Sequence, residues 1–95
     1  MYVVLVTKRY EKSFQKIRAS GIFKKQAEEN LNSIINLLAH GSLLPESYRD
    51  HQLKGELNPY RECHIKGDIL LVYQIHKEKL VLLLIDIGTH SYLDL

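Results

Sequence analysis

The chain has 95 residues, enough for one small domain, because an independent hydrophobic core needs roughly 50 to 200 residues. Its hydrophobic fraction of 45% and charged fraction of 25% are those of a globular protein and exclude intrinsic disorder. The formal net charge of +2, with five histidines in addition, permits an acidic partner or RNA. We therefore expect one domain over residues 1–95.

The single cysteine, Cys63, excludes an internal disulfide and a four-cysteine metal site, and it is compatible with a reducing cytosol. Residues 2–6 are apolar but too short for a signal peptide. The longest other apolar run, at 80–85, is far below the roughly 20 residues that span a bilayer. The sequence thus predicts a cytoplasmic protein without membrane contact.

The first part of the chain predicts one strand followed by two helices. Residues 2–6 are typical of a strand that is covered on both faces, or on one face with a free edge. Thr7 is a suitable N-cap for a first helix, and helical spacing resumes at Phe23 in a second, longer helix. His40 and Gly41 close the second helix, so we expect His40 to be a cap rather than a catalyst. The two helices are expected to form an antiparallel hairpin.

The second half predicts three or four strands. An extended segment at 51–53 and a turn at 55–59 precede strands at 60–65, 69–75 and 80–87, and a tail follows at 89–95. Alternation along the strand at 60–65 places Glu62 and His64 on one sheet face and Arg61 and Cys63 on the other. This order of elements predicts an α+β sandwich with both helices on one face of a mainly antiparallel sheet. The other face is free to carry a site.

Most of the ionisable side chains that can do chemistry lie between residues 48 and 68. Four motifs cover this stretch and the tail, namely Pro45-x-x-Tyr48-x-Asp50-His51-x-Leu53-x-Gly55, Tyr60-Arg61-Glu62-Cys63-His64, Asp68-x-Leu70-Leu71-Val72-Tyr73 and Gly88-Thr89-His90-Ser91. In this order they resemble the YafQ branch of the RelE/ParE superfamily of toxins from toxin–antitoxin systems. The resemblance implies a RelE-like two-layer sandwich with the order β-α-α-β-β-β(-β).

The resemblance also implies a function and a set of site residues. A toxin of this kind cleaves translated mRNA on the ribosome without a metal or another cofactor, and a cognate antitoxin inhibits it. The positions that match the catalytic residues of the family are His51, His64, Asp68 and His90, and Glu62 matches an acidic position beside them.

Residue chemistry agrees with that implication. Metal-free cleavage of RNA needs a base for the 2′-OH proton, an acid for the leaving 5′-oxygen and donors for the phosphate. Asp68 or His51 is expected to be the base and His90 the acid, while His64 stabilises charge on the phosphate with Arg61 or Lys54. The expected substrate-binding residues are Lys54, Arg61, Glu62, Lys66 and Tyr92.

Two positions depart from the family pattern. Relatives commonly have an arginine at the position of Asp86 and an aromatic residue at that of Asp94, although Tyr92 lies nearby. An arginine binds phosphate and an aromatic ring stacks on a base, so both changes remove features that favour RNA. We expect Asp86 to repel a phosphate.

Three alternatives stay open. The same fold can serve as a non-catalytic binding module, either a ParE-type gyrase inhibitor or a decayed toxin that only binds its antitoxin, and Asp86 and Asp94 favour this function. His51, His64, His90 and a carboxylate can also bind zinc, although their spacing is not characteristic of a zinc site. Glu62 is equally compatible with a structural role beside His64.

Overall fold

The structure is a computed structural model that describes residues 1–55 and 59–94. In chain order its elements are β1 (Val3–Val6), α1 (Lys8–Ala19), α2 (Lys25–Ala39), a 3-10 turn (Glu46–Tyr48), β2 (His51–Gln52), β3 (Arg61–Lys66), β4 (Ile69–His76), β5 (Val81–Thr89) and α3 (His90–Leu93). The middle of the predicted turn at 55–59 and the last residue of the predicted tail lie outside the described residues.

The five strands in the described residues form one sheet in the order β1-β5-β4-β3-β2. β1 pairs with β5 in parallel, and every other pair in this sheet order is antiparallel. Short connections from β3 to β4 and from β4 to β5 explain the antiparallel pairing, because a hairpin reverses the chain direction. The predicted α+β architecture with a mainly antiparallel sheet is confirmed.

Most of the buried apolar side chains in the described residues form a cluster between the helices and one face of the sheet. The apolar stripe of α2, including Leu31, Ile34 and Leu38, packs in this cluster with sheet residues such as Leu71 and Tyr73. Thr7 anchors the start of α1, since its hydroxyl accepts a hydrogen bond from the Tyr10 amide at 3.0 Å and donates one to the Ile85 carbonyl at 2.9 Å. This contact fixes α1 against β5.

His40 is the C-cap of α2, as predicted, and its Nδ1 lies 2.7 Å from the Asn36 carbonyl oxygen. Gly41 follows with a φ of 76°, a left-handed conformation that glycine adopts without strain. None of the helices that the described part of the chain contains is long and apolar enough to cross a membrane.

Two local features differ from the expectation. β1 is the edge strand that one alternative proposed, but its residues are 38–60% accessible and not covered, because an apolar β-branched composition reports strand propensity and does not report burial. The tail contains a further helical turn, α3, which Thr89 caps by accepting a hydrogen bond from the Tyr92 amide at 3.1 Å. That turn carries His90.

Candidate functional site

The candidate site lies on the sheet face that is turned away from the core. Cys63 and Ile65 of β3 are buried in the core cluster, so alternation directs Glu62 and His64 to the opposite face. His51 of β2 pairs with Glu62 across the strands. The alternation of β3 places Glu62 and His64 on the same face, and the pairing of β2 with β3 adds His51 to them.

Glu62 lies between two imidazoles. Its side chain is only 6% exposed, and its Oε1 is 3.6 Å from His51 Nε2 and 3.8 Å from His64 Nε2. His51 Nδ1 lies 2.9 Å from the Arg49 carbonyl oxygen, so this nitrogen carries the proton and donates it to the carbonyl. In the neutral imidazole of His51, Nε2 is then the nitrogen that accepts a proton.

His90 joins this group from the far end of the chain. Its Nδ1 and its backbone amide both lie against Asp68 Oδ1, in the turn between β3 and β4. The hydrogen bond from His90 lowers the pKa of the Asp68 carboxyl, which therefore stays ionised over a wider pH range. The His90 ring centroid is 5.6 Å from that of His64. Because His90 contacts the Asp68 carboxylate through Nδ1, its Nε2 does not take part in that contact.

The surroundings of His64 favour its neutral form. Burial is the main cause that lowers its pKa, and the positive charges of Arg49, His90 and His51 act in the same direction against the opposing effect of Glu62. His64 is 19% exposed at the side chain. A neutral, half-buried imidazole is suited to accept a proton at neutral pH.

The expected substrate-binding residues are dispersed. Lys54 and Lys66 are exposed near the ends of β2 and β3. Arg61 lies on the helix-side face, where its guanidinium donates to the Asp50 carboxylate at 2.6 Å and contacts the Tyr73 hydroxyl. This placement does not favour Arg61 as a phosphate ligand, and Asp50 binds Arg61 rather than its neighbour Arg49. Tyr92 lies with its hydroxyl 2.9 Å from the Ser13 hydroxyl.

Sequence reasoning missed Arg49 as a residue near the imidazoles. Arg49 ends the 3-10 turn in a left-handed conformation with a φ of 48°, and it is close enough to His64 to lower the pKa of that imidazole. The alternation of β3 had already separated Arg61 from Glu62 and His64, which was a signal against Arg61. The position of Arg49 depends on a backbone conformation that composition does not indicate.

Asp86 has a partner that the sequence did not reveal. Its carboxylate is buried, with Oδ2 3.1 Å from Arg9 Nε at the start of α1 and Oδ1 accepting the Ile87 amide at 2.9 Å. The expected repulsion of a phosphate is therefore reduced, because Arg9 compensates the charge and its own side chain is 79% exposed. Asp94 ends α3 in a left-handed conformation and is exposed.

A family model of bacterial YafQ toxins of type II toxin–antitoxin systems matches residues 2–94. The chain belongs to the YafQ family. A putative YafQ toxin from Haemophilus influenzae is 52% identical over 40 residues, which are 42% of this chain and 39% of that protein. The YafQ mRNA interferase toxin of Escherichia coli is 38% identical over 46 residues, 47% of this chain and 50% of that protein. These alignments thus span half or less of the length of the curated relatives.

Solved toxin structures match over almost the whole chain. A copper-bound mutant toxin from Helicobacter pylori has 36% identity and a TM-score of 0.87, and the match covers 98% of this chain and 99% of that one. A metal-bound toxin from the same organism has 36% identity and a TM-score of 0.85, and the match again covers 98% of this chain and 99% of that one. YafQ in the E. coli DinJ–YafQ toxin–antitoxin complex has 26% identity and a TM-score of 0.81, and the match covers 97% of this chain and 96% of that one.

The site of this YafQ-family chain also contains a group that can hold a metal ion. Glu62, His64 and His90 each offer one ligand atom, and these atoms lie within 4.8 Å of one another. The sequence analysis expected no metal but left open a zinc site of His51, His64, His90 and a carboxylate, and two of those imidazoles are in this group together with Glu62. Imidazole and carboxylate together suit Zn²⁺ and Cu²⁺.

Proposed function

We propose that this chain is the toxin of a type II toxin–antitoxin system and cleaves translated mRNA on the ribosome, in the cytoplasm, by metal-independent attack of the 2′-OH. The observation that carries the proposal is the group of three imidazoles on one face, with His64 and His90 5.6 Å apart at their ring centroids. Two imidazoles at this separation are placed to act on opposite sides of one phosphate. The mRNA interferase activity named for the E. coli relative supports the same class of reaction.

His64 is assigned as the base and His90 as the acid. His64 is neutral because burial lowers its pKa, so it accepts the proton of the 2′-OH as that oxygen attacks the phosphorus. The P–O5′ bond breaks, and protonated His90 gives a proton to the departing 5′-oxygen. The products are a 2′,3′-cyclic phosphate and a 5′-hydroxyl, and the two histidines end in exchanged protonation states.

Asp68 and Glu62 are assigned to support the histidines. Asp68 accepts hydrogen bonds from His90, which orients the ring, so Asp68 acts through His90 rather than as the base. Glu62 is buried between His51 and His64 and is placed to hold these imidazoles. His51 and Arg49 are proposed to bind the phosphate, and Lys54 stays a candidate for the same role.

Basic side chains beside the site offer a path for the RNA backbone. A groove of about 600 Å³ runs from Asp68 and Thr89 past the exposed lysines Lys24, Lys25 and Lys66. Lysines along a groove attract phosphates without reading base sequence. This arrangement supports Lys66 as a substrate-binding residue.

The pH dependence of cleavage follows from His64. Because its pKa is lowered from the usual 6.5, the neutral form persists to lower pH, and we expect the acid limb of the single-turnover rate to have its midpoint below 6.5. Removing the charge of Arg49 in an Arg49→Met variant relieves one cause of the lowering, so the midpoint moves upward. Cleavage of ribosome-bound mRNA across the acid range measures both midpoints, and a midpoint above 6.5 in the unchanged protein contradicts the assignment of His64 as base.

Binding of a transition metal at Glu62, His64 and His90 is a second candidate function, supported by the metal-bound H. pylori relatives. A metal on these imidazoles occupies the lone pairs that proton transfer needs. We expect excess chelator to leave cleavage unchanged and Cu²⁺ to inhibit it, with paramagnetic broadening of the His64 and His90 ring signals. His76→Gln is the matched control for the copper experiment. Because His76 lies at the opposite end of β4, its replacement is expected to leave the inhibition by Cu²⁺ unchanged. Loss of cleavage in chelator contradicts a metal-free reaction.

An antitoxin is the proposed partner, in line with the DinJ–YafQ complex of the relative. β1 offers a docking place, since it is the terminal strand of the sheet and its side chains Val3, Val4, Leu5 and Val6 are exposed. An apolar edge strand of this kind is available for pairing with a strand of another chain.

Mapping of mRNA 5′ ends in cells that express the protein tests the proposed function. Discrete new ends inside translated codons are expected soon after induction, and they disappear when the cognate antitoxin is expressed as well. A gyrase inhibitor of the same fold would instead induce DNA damage signalling without new mRNA ends. A protein that only binds its antitoxin would produce neither response.

A further inference from the structure

α3 is a single helical turn, His90–Leu93, and it carries the proposed acid at its first position. One isolated turn is unstable in water, because helix nucleation fixes several residues for very few hydrogen bonds. Contacts with the rest of the fold must therefore determine where His90 lies. Tyr92 provides several such contacts, two residues beyond His90.

The hydroxyl of Tyr92 binds a buried partner. It lies 2.9 Å from the hydroxyl of Ser13 on α1, and Ser13 is only 2% exposed. The Nζ of Lys16, one turn further along α1, lies 5.5 Å from the centroid of the Tyr92 ring. These contacts join α3 to α1, which is itself fixed on β5 through Thr7.

The ring of Tyr92 packs directly on the backbone of β5. A Cβ atom added at Gly88 would lie 2.5 Å from Tyr92 Cδ2, closer than any normal carbon contact. Only a glycine therefore allows the ring to occupy this place. In the sequence Gly88-Thr89-His90, the glycine provides the space that the Tyr92 ring occupies. The threonine caps α3, and the histidine is the first residue of α3.

We infer that Tyr92 is a positioning residue for His90: its hydroxyl on Ser13 and its ring on Gly88 hold α3 so that His90 stays between Asp68 and His64. This inference rests on the proposed function, because it assigns His90 a catalytic role. It differs from the role of substrate stacking that the sequence suggested for Tyr92. Tyr92 is 46% exposed, and its contacts with Gly88 and Ser13 are what fix the place of its ring.

A Tyr92→Phe variant separates the two roles, since it keeps the ring for stacking and removes only the hydroxyl. We expect the plateau rate of single-turnover cleavage, with the protein in excess over ribosome-bound mRNA, to fall by about tenfold or more. The protein concentration at half-saturation is expected to stay unchanged. A stacking residue would instead keep its full rate as phenylalanine. Tyr2 precedes β1 and lies near Val81, at the end of β5 opposite to Gly88, so Tyr2→Phe is the matched control.

Two further variants test the same contacts from the partner residues. Ser13→Ala combined with Tyr92→Phe is expected to cost no more than either change alone, because both remove the same hydrogen bond. Gly88→Ala is expected to displace the ring and to lower the plateau rate with the hydroxyl intact.

An NMR readout needs no activity at all. The edge of the Tyr92 ring lies against Gly88, so we expect the ring current to displace the Gly88 α-proton signals in the unchanged protein and this displacement to change in Tyr92→Phe. An unchanged Gly88 signal together with full cleavage in Tyr92→Phe overturns the inference. An unchanged protein that does not cleave mRNA overturns the proposed function instead, and the Gly88 signal still reports whether the hydroxyl holds α3.

Discussion

Replacing His90 by glutamine is expected to lower the rate of mRNA cleavage by at least about 100-fold, the usual effect of removing a general acid. Glutamine keeps a donor that can reach Asp68, so α3 has no reason to move, but it has no proton to give to the 5′-oxygen. The rate is measured in single turnover on ribosome-bound mRNA, with thermal unfolding of the variant as the check on its fold.

The matched control for His90 is His76→Gln. His76 is exposed at the end of β4 and lies 3.0 Å from Gln74 Oε1, away from the site. We expect His76→Gln to cleave at the unchanged rate. Full activity in His90→Gln would remove His90 from the reaction, and equal losses in both variants would indicate a general effect of losing a histidine.

The second large effect is expected from the two arginines that the structure separates. Arg61→Met leaves the Asp50 carboxylate and the buried Tyr73 hydroxyl without their cation, and we expect the free energy of unfolding to fall by about 1–3 kcal/mol. Burial and the hydrogen bond to Asp50 both raise the pKa of Tyr73, so its hydroxyl stays protonated and neutral. It therefore cannot replace the positive charge of Arg61 beside the Asp50 carboxylate. Denaturant unfolding followed by circular dichroism measures the loss.

Arg49→Met is the comparison for Arg61→Met, because the two residues are chemically identical and lie on different sides of the sheet. Arg49 is exposed, so we expect unfolding to change by less than about 0.5 kcal/mol. The charge of Arg49 lies near His64. We expect the rate of mRNA cleavage to fall by up to about 100-fold when this charge is removed, because the phosphate then lacks a cation. If Arg61→Met instead lost cleavage at unchanged stability, Arg61 would be the phosphate ligand, as the sequence first suggested.

The architecture was predictable because local signals agreed with one another. Thr7 as an N-cap, His40 with Gly41 as a helix end, and the period-two alternation of 60–65 all indicate elements that are present. Alternation also placed Glu62 and His64 on the free face. These features depend on residues close in sequence, whose geometry the repeat of a helix or strand determines.

The parts that were not predictable depend on contacts between distant residues. The exposure of β1 follows from its place at the end of the sheet, and the compensation of Asp86 follows from the way α1 brings Arg9 to β5. α3 contacts α1 through Tyr92 and Ser13, which are 79 residues apart in the chain. The motifs named His90 and Asp68 only through the family resemblance, and their contact across 22 residues was not visible in any local pattern.

The chemical ends of the RNA fragments test the central claim most directly. Purified protein with ribosome-bound mRNA, in excess chelator, is expected to produce upstream fragments that end in a 2′,3′-cyclic phosphate or its opened 3′-phosphate, and downstream fragments that begin with a 5′-hydroxyl. These ends result when the 2′-OH attacks the phosphorus with His64 and His90 as proton carriers. Fragments with a 3′-hydroxyl and a 5′-phosphate would show that water is the nucleophile and would contradict the account.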